Sequence, residues 1–314
     1  MYLCVKKNSN PFVILLFLLT IVSNTYAQQI KVTSGKIIRF DNFKSTFVDT
    51  RNIDVWLPNG YSDKEKYAVL YMHDGQMLFD AEQSWNKQVW EIDEVASKVM
   101  AENKTRKFIV VGIWNNGQKR HPEYFPQKAY KLLTSVQKEF VTNTLSKKGK
   151  ISQTFNPISD SYLKFLVTEL KPFINKTFST KTNRKNTVIA GSSMGGLISL
   201  YAICEYPKVF GGAACLSTHW PGIYQIKDNP IPETFFSYLR TNLPKPQNHK
   251  IYFDYGNKTL DSLYPTLQKR VDTIMSEKGF TNKNWMTKFF PGKDHSENAW
   301  RERVNIPLTF LLEE

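Results

Sequence analysis

Seven short runs rich in β-branched and aromatic residues recur along the chain, at 52–57, 67–73, 108–114, 187–190, 212–216, 250–255 and 285–290. Each is bounded by turn residues, which is the pattern of buried strands. Between them lie segments with helical spacing. The stretch 90–100 sets Val89, Ile92, Val95, Val99 and Met100 on one face, and 162–178 does the same with Leu163, Leu166, Leu170 and Phe173. Further helices are expected at 196–204, at 261–278 (Leu263, Leu267, Val271, Ile274) and at 300–312. Strands that alternate with helices build βα units, so the expectation is an α/β fold with a mostly parallel sheet and helices on both faces. The segments 36–40 and 52–57 read as an antiparallel hairpin at the sheet edge.

The first residues read differently. Lys6 and Lys7 precede an apolar run from Phe12 to Val22, and Ser23-Asn24-Thr25-Tyr26-Ala27 follows. A charged start, a short apolar stretch and a small residue at the end are the parts of a secretory signal, and the run is shorter than the roughly 20 residues that cross a bilayer. Cleavage is placed after Ala27, which leaves one domain at 28–314 and a secreted or periplasmic location. Cys4 would leave with the leader. Cys204 and Cys215, in a late helical turn and an apolar strand, read as buried thiols rather than a disulfide.

No linker or repeat divides the rest. The irregular stretch 115–157, with Arg120-His121-Pro122-Glu123-Tyr124-Phe125-Pro126 and the Lys-rich Lys147–Lys150 region, is expected to be a long loop insertion that either moves at the surface or covers a substrate. The net charge is 42 − 28 = +14, spread without a basic block, so it reads as a Lys-rich solvated face rather than a nucleic-acid surface. The five histidines and three cysteines show no metal-ligand spacing, and no cofactor or metal is expected.

Chemistry concentrates at Thr187-Val-Ile-Ala-Gly191-Ser-Ser193-Met-Gly195-Gly-Leu197, a strand that enters a helix through Gly-x-Ser-x-Gly. A nucleophilic serine needs a sharp turn that lifts its hydroxyl off the sheet. Glycines on either side remove side-chain collisions there, and the following helix points free N–H groups at a developing oxyanion. A serine also needs a base oriented by an acid, and in this architecture acid and histidine follow the serine past later strands. Asp261 leaves the strand 250–255 through Gly256-Asn-Lys-Thr-Leu, and His295 leaves 285–290 through Pro291-Gly-Lys-Asp. Asp261 is also placed to be a helix N-cap, and Asp254 inside the strand is the reserve acid. Met194 N–H and a main-chain N–H at Gln76, in His73-Asp-Gly-Gln-Met-Leu-Phe-Asp80, are the candidate oxyanion donors. Gly75 is expected to let that backbone approach the substrate.

The segments His73–Asp80, Gly191–Gly196, Asp254–Asp261 and His295–Trp300 together resemble the esterase-D-like branch of the α/β-hydrolases. That branch holds feruloyl and acetylxylan esterases of carbohydrate esterase family 1, enterochelin esterases and S-formylglutathione hydrolase. The resemblance implies Ser193, Asp261 and His295 as the triad. It also supports Met194 and Gln76 as oxyanion donors, and its acid-to-helix spacing favours Asp261 over Asp254. Within the branch, a secretion signal argues against the cytosolic formylglutathione reaction. The expected function is a secreted serine esterase acting on an acetyl or hydroxycinnamoyl ester of a polysaccharide, with Trp114, Tyr124, Phe125 and Trp220 as candidate stacking surfaces for substrate. A siderophore esterase, and a non-catalytic binding protein on the same scaffold, are the alternatives. An intact Ser–Asp–His order argues against the second.

Overall fold

The computed structural model describes residues 1–2, 30–147, 149, 154–224 and 227–313; the leader beyond its first two residues, with Cys4 and the expected cleavage point, lies outside them. Eight strands form one sheet in the order β1-β2-β4-β3-β5-β6-β7-β8: β1 (Lys36–Phe43), β2 (Arg51–Leu57), β3 (Ala68–His73), β4 (Phe108–Ile113), β5 (Thr187–Ser192), β6 (Gly212–Leu216), β7 (Lys250–Tyr255) and β8 (Trp285–Phe289). The β1–β2 and β2–β4 pairs are antiparallel and the remaining pairs are parallel.

Alternate residues of the strands feed two apolar layers. On β3, Val69 and Tyr71 point into one, while Ala68, Leu70 and Met72 point into the other. Side chains from α1 (Ile92–Ala101) and α11 (Asn305–Leu312) join the second layer, those of α7 (Met194–Glu205) and α8 (Ile231–Asn242) the first. Helix α7 is buried on nearly every side, which a helix can be only when it is apolar all round. Cys204 and Cys215 are buried free thiols.

Two expectations need correction. The segment 115–157 is not a plain loop. It carries α2 (Arg120–Tyr124), α3 (Gln127–Lys131) and α4 (Ser135–Lys147) before α5 (Ser159–Phe165) begins. Tyr124, Phe125, Ala129, Tyr130, Val141 and Leu145 fill the first apolar layer, so these helices are packed rather than loose. A fully buried ion pair pins them to the sheet, Arg51 of β2 reaching Glu123 of α2 at 2.7 Å. Secondly, the helix expected over 162–178 is interrupted: a π-helical turn, Leu166–Leu170, separates α5 from α6 (Lys171–Thr177). The chain is completed by α9 (Pro265–Glu277) and by α10 (Glu297–Arg301), which precedes α11.

Candidate active site

The parallel strands all end at one edge, where open α/β sheets bind their ligands. Strand β5 reaches it at Ser192, and Ser193 then turns the chain with φ 58° and ψ −121° before α7 starts. A positive φ is costly for a residue with a side chain and persists where the surroundings enforce it. They do so here: Ser193 N donates to Leu216 O at 2.9 Å and Ser193 O accepts from His219 N at 3.2 Å. A Cβ on Gly191 would sit 2.8 Å from the Gly195 backbone, so the elbow closes only with glycine there. Gly195 itself has room, its nearest neighbour being Asp74 Oδ2 at 3.4 Å.

Asp261 lies in a 3₁₀ turn (Thr259–Leu263) after β7, and its carboxylate is fully buried. It does not cap α9. Instead its Oδ1 lies 2.6 Å from His295 Nδ1, while Oδ2 accepts from Gly256 N and from Ser217 Oγ, each at 2.6 Å. Three hydrogen bonds to the charged form offset the cost of burying it. Asp254 makes no contact with His295. It pairs with Arg303 at 2.9 Å and accepts from Ser217 N at 3.2 Å. Burial raises the Asp254 carboxyl above its usual range, and Arg303 opposes that rise.

Ser217, which joins the two carboxylates, has no counterpart among the expected site residues. Its hydroxyl also accepts from Trp300 Nε1 at 2.9 Å and from Arg303 Nη2 at 3.0 Å. Trp300 in turn packs edge-on against the His295 ring with centroids 4.9 Å apart. Tyr264 is a second unexpected member. It is fully buried, its ring stands 5.9 Å from His295, and its hydroxyl bonds His219 Nδ1 at 2.9 Å. Among the described residues no hydrogen bond joins the Ser193 hydroxyl to His295.

Ser193 and Met194 open onto a cavity of about 300 Å³, also walled by Arg120, His121, His219 and Tyr224. Met194 is the first residue of α7, so its N–H has no intrahelical acceptor. Gln76 lies in the 3₁₀ turn Gly75–Met77 and does not line this cavity; its side chain accepts from Asn115 N at 3.2 Å. A Cβ on Gly75 would meet Gly112 of β4 at 2.6 Å, so this turn closes against the sheet only with glycine there.

Arg120 holds Asp74 through two bonds of 2.7 Å, and Asn115 adds a third. Burial would raise Asp74, but Arg120 and Asn115 outweigh it and hold the carboxyl below its usual value. His219 is driven well below the ordinary histidine range by burial, with His295, His121 and Arg120 adding to the effect, so its imidazole is neutral.

The expected aromatic surfaces are elsewhere. Tyr124, Phe125 and Trp220 are buried in the core, Trp220 donating to Gln268 and Tyr124 packing on His73 and Tyr162. Trp114 is half-buried, donating to Asp54 at 2.7 Å beneath the Arg39 guanidinium. None of the four walls the cavity, whereas Tyr224 does. No group of metal-ligating side chains occurs among the described residues. Nor does any helix among them have the length and apolarity to cross a membrane.

An eight-stranded, mostly parallel sheet with a serine elbow at its carboxyl edge defines an α/β-hydrolase. Residues 45–305 match the family model described as putative esterase, and the chain belongs to that family of ester hydrolases. It is 29% identical over 65% of its length to an endo-1,4-beta-xylanase/feruloyl esterase of Xylanibacter ruminicola, of which the match spans 24%. Its fold is similar to that of a CE1 ferulic acid esterase from Anaeromyces mucronatus (TM-score 0.57, 17% identity, 90% of this chain and 94% of that one). It is similar as well to the enterobactin esterase of Shigella flexneri (TM-score 0.59, 14% identity, 90% and 60%). These relatives fall in the branch that the sequence motifs resemble.

Proposed function

We propose that the chain is an exported serine esterase that hydrolyses an acetyl or hydroxycinnamoyl ester of a polysaccharide through an acyl-enzyme. The observation that carries this reading is the 2.6 Å pair of Asp261 and His295, set beside a positive-φ serine at the same sheet edge. Asp261 fixes the imidazole with its proton on Nδ1, leaving Nε2 as the base. A rotation of the Ser193 hydroxyl towards His295 then sets up attack on the ester carbonyl, since nucleophile contacts often tighten only with substrate bound. His295 takes the Ser193 proton, the Met194 N–H, free at the start of α7, holds the oxyanion, and His295 passes the proton to the departing alcohol. Water attacks the acyl-enzyme with the same histidine as base.

The cavity also discriminates between substrates. Its size lies at the lower end of the roughly 300–1,000 Å³ common for ligand sites, which suits one small acyl group. Arg120, the one guanidinium among the described residues of its wall, is neutralised by Asp74, and His219 carries no charge. A bulky, polyanionic catecholate ester is therefore disfavoured against a neutral sugar ester.

The test compares wild type and Ser193→Ala on methyl ferulate, acetylated xylan, p-nitrophenyl acetate and a ferric-catecholate triester. Hydrolysis of the first three, lost by at least about 10³-fold in the variant, is expected. Unchanged turnover in the variant overturns the serine mechanism, and preference for the catecholate overturns the substrate class. Export is read by N-terminal sequencing of the mature protein, which is expected to begin at Gln28.

A further inference from the structure

The loop between β3 and α1 displays a tryptophan. Trp85 is 81% exposed, although tryptophan is ordinarily a residue that a fold buries. The chain around it is not loose. Gln83 accepts from Arg39 at 3.0 Å, Ser84 Oγ donates to Ala81 O at 3.0 Å, and Lys87 Nζ donates to Glu82 O at 3.0 Å. Asn86 Nδ2 donates to Glu297 Oε2 at 2.8 Å, Gln88 N donates to Asn86 Oδ1 at 3.0 Å, and Lys87 is held at φ 58°. The polar neighbours are thus engaged in fixing the loop, and the indole they hold outward packs on none of the core. An aromatic face on a fixed loop, with only two side-chain torsions left to order, is well suited to bind a flat apolar ligand surface.

The loop also belongs to the rim of the active site. Glu297, which Asn86 grips, is two residues beyond His295. Five residues after Trp85, Trp90 stacks on Trp300 at 5.4 Å, and Trp300 packs on His295 at 4.9 Å. Five residues of chain span at most about 18 Å, which places Trp85 within a few sugar rings of this aromatic stack. An isolated ring among Glu82, Gln83, Asn86, Lys87 and Gln88 lacks the contiguous apolar centre of a protein-docking surface. It matches a pyranose, which offers a C–H face to the indole and hydroxyls to its polar surround.

We propose that Trp85 is a carbohydrate platform that binds a sugar ring of the esterified polysaccharide a few residues away from the scissile bond. The inference rests on the polysaccharide-ester reading and adds to it a second point of contact. Trp85→Ala removes no core contact and is expected to fold as wild type. On acetylated xylan its kcat/KM falls about five- to tenfold, mainly through KM, the size of one aromatic contact. On p-nitrophenyl acetate it stays within about twofold, and Trp85→Tyr restores most of the polymer activity. Native gels containing unesterified xylan read the platform without any ester: wild type is retarded and Trp85→Ala is not. Retardation that depends on Trp85, with no xylan ester cleaved, sinks the reading of the reaction and keeps the platform. Polymer kinetics and retardation indifferent to Trp85 overturn the platform alone, and equal losses on polymer and small ester assign the residue to structure.

Discussion

The carboxyl edge of β6, β7 and β8 and the helical wall of residues 117–131 meet at one cavity but are built on different principles. At the edge, side chains hold one another: Asp261, Ser217, Asp254, Arg303 and Trp300 form one buried network, and the Asp261 carboxylate makes three bonds of 2.6 Å. The wall is held by apolar packing and by two ion pairs to the sheet side, Arg51–Glu123 and Arg120–Asp74, and neither pair involves Ser193, Asp261 or His295. The edge is thus set for one reaction, and the wall is where relatives of the same chemistry can differ in what they accept.

Substitutions separate the two. The largest effect belongs to the edge: Asp261→Asn is expected to lower kcat by about 10³–10⁴-fold at unchanged KM, because an amide holds the wrong tautomer of His295. Loss of activity in Asp254→Asn with Asp261→Asn still active, measured by steady-state kinetics, reverses the assignment.

Next comes acid. His73 is the joint between sheet and wall, bonded to the Tyr162 hydroxyl at 2.8 Å and packed on Tyr124, and burial pushes it down to about 3. Its folded-state value lies below the unfolded one, so its contribution is whole above about pH 6.5 and drains away as pH falls towards 3. His219 has the same sign. Urea titrations at pH 7 and pH 5 are expected to differ by about 2 kcal/mol on account of His73, with His219 adding in the same direction. A pH-independent midpoint refutes the neutral buried imidazoles.

Ser217→Ala removes one of the three bonds to Asp261 and is expected to cost about tenfold in kcat. The smallest change falls on the wall. Tyr224→Ala should alter KM for methyl ferulate about three- to fivefold while p-nitrophenyl acetate turnover holds, and equal losses on both place Tyr224 with the chemistry.

The same division governs what the sequence discloses. Seven strands lie where the β-branched runs sit and β1 where the hairpin is expected, and Asp261 pairs with His295 at the edge where β5 delivers Ser193, because strand order and turn chemistry are local signals. Ser217, Tyr264 and Trp300 carry no such signal: their roles exist only once β6, the turn after β7 and α10 are side by side. Helix α8 does carry one. Ile231, Phe235, Phe236 and Leu239 repeat at helical spacing and lie in the core, yet two prolines at its start mask the pattern. The helices of 120–147 are obscured by their polar and Pro-containing ends. Tyr124 and Trp220 read as surface aromatics only because their burial depends on helices packed from elsewhere in the chain.

The Arg51–Glu123 pair has a consequence for how esters reach the serine. Swinging the roof of the cavity away from the sheet would pull opposite charges apart in a dry interior, a step that costs several kcal/mol with no solvent to replace the lost partner. The part of the wall that α2 carries is therefore fixed to the sheet rather than hinged on it. An ester that fits does so by its own outline, and one too broad is turned away at the threshold before chemistry begins.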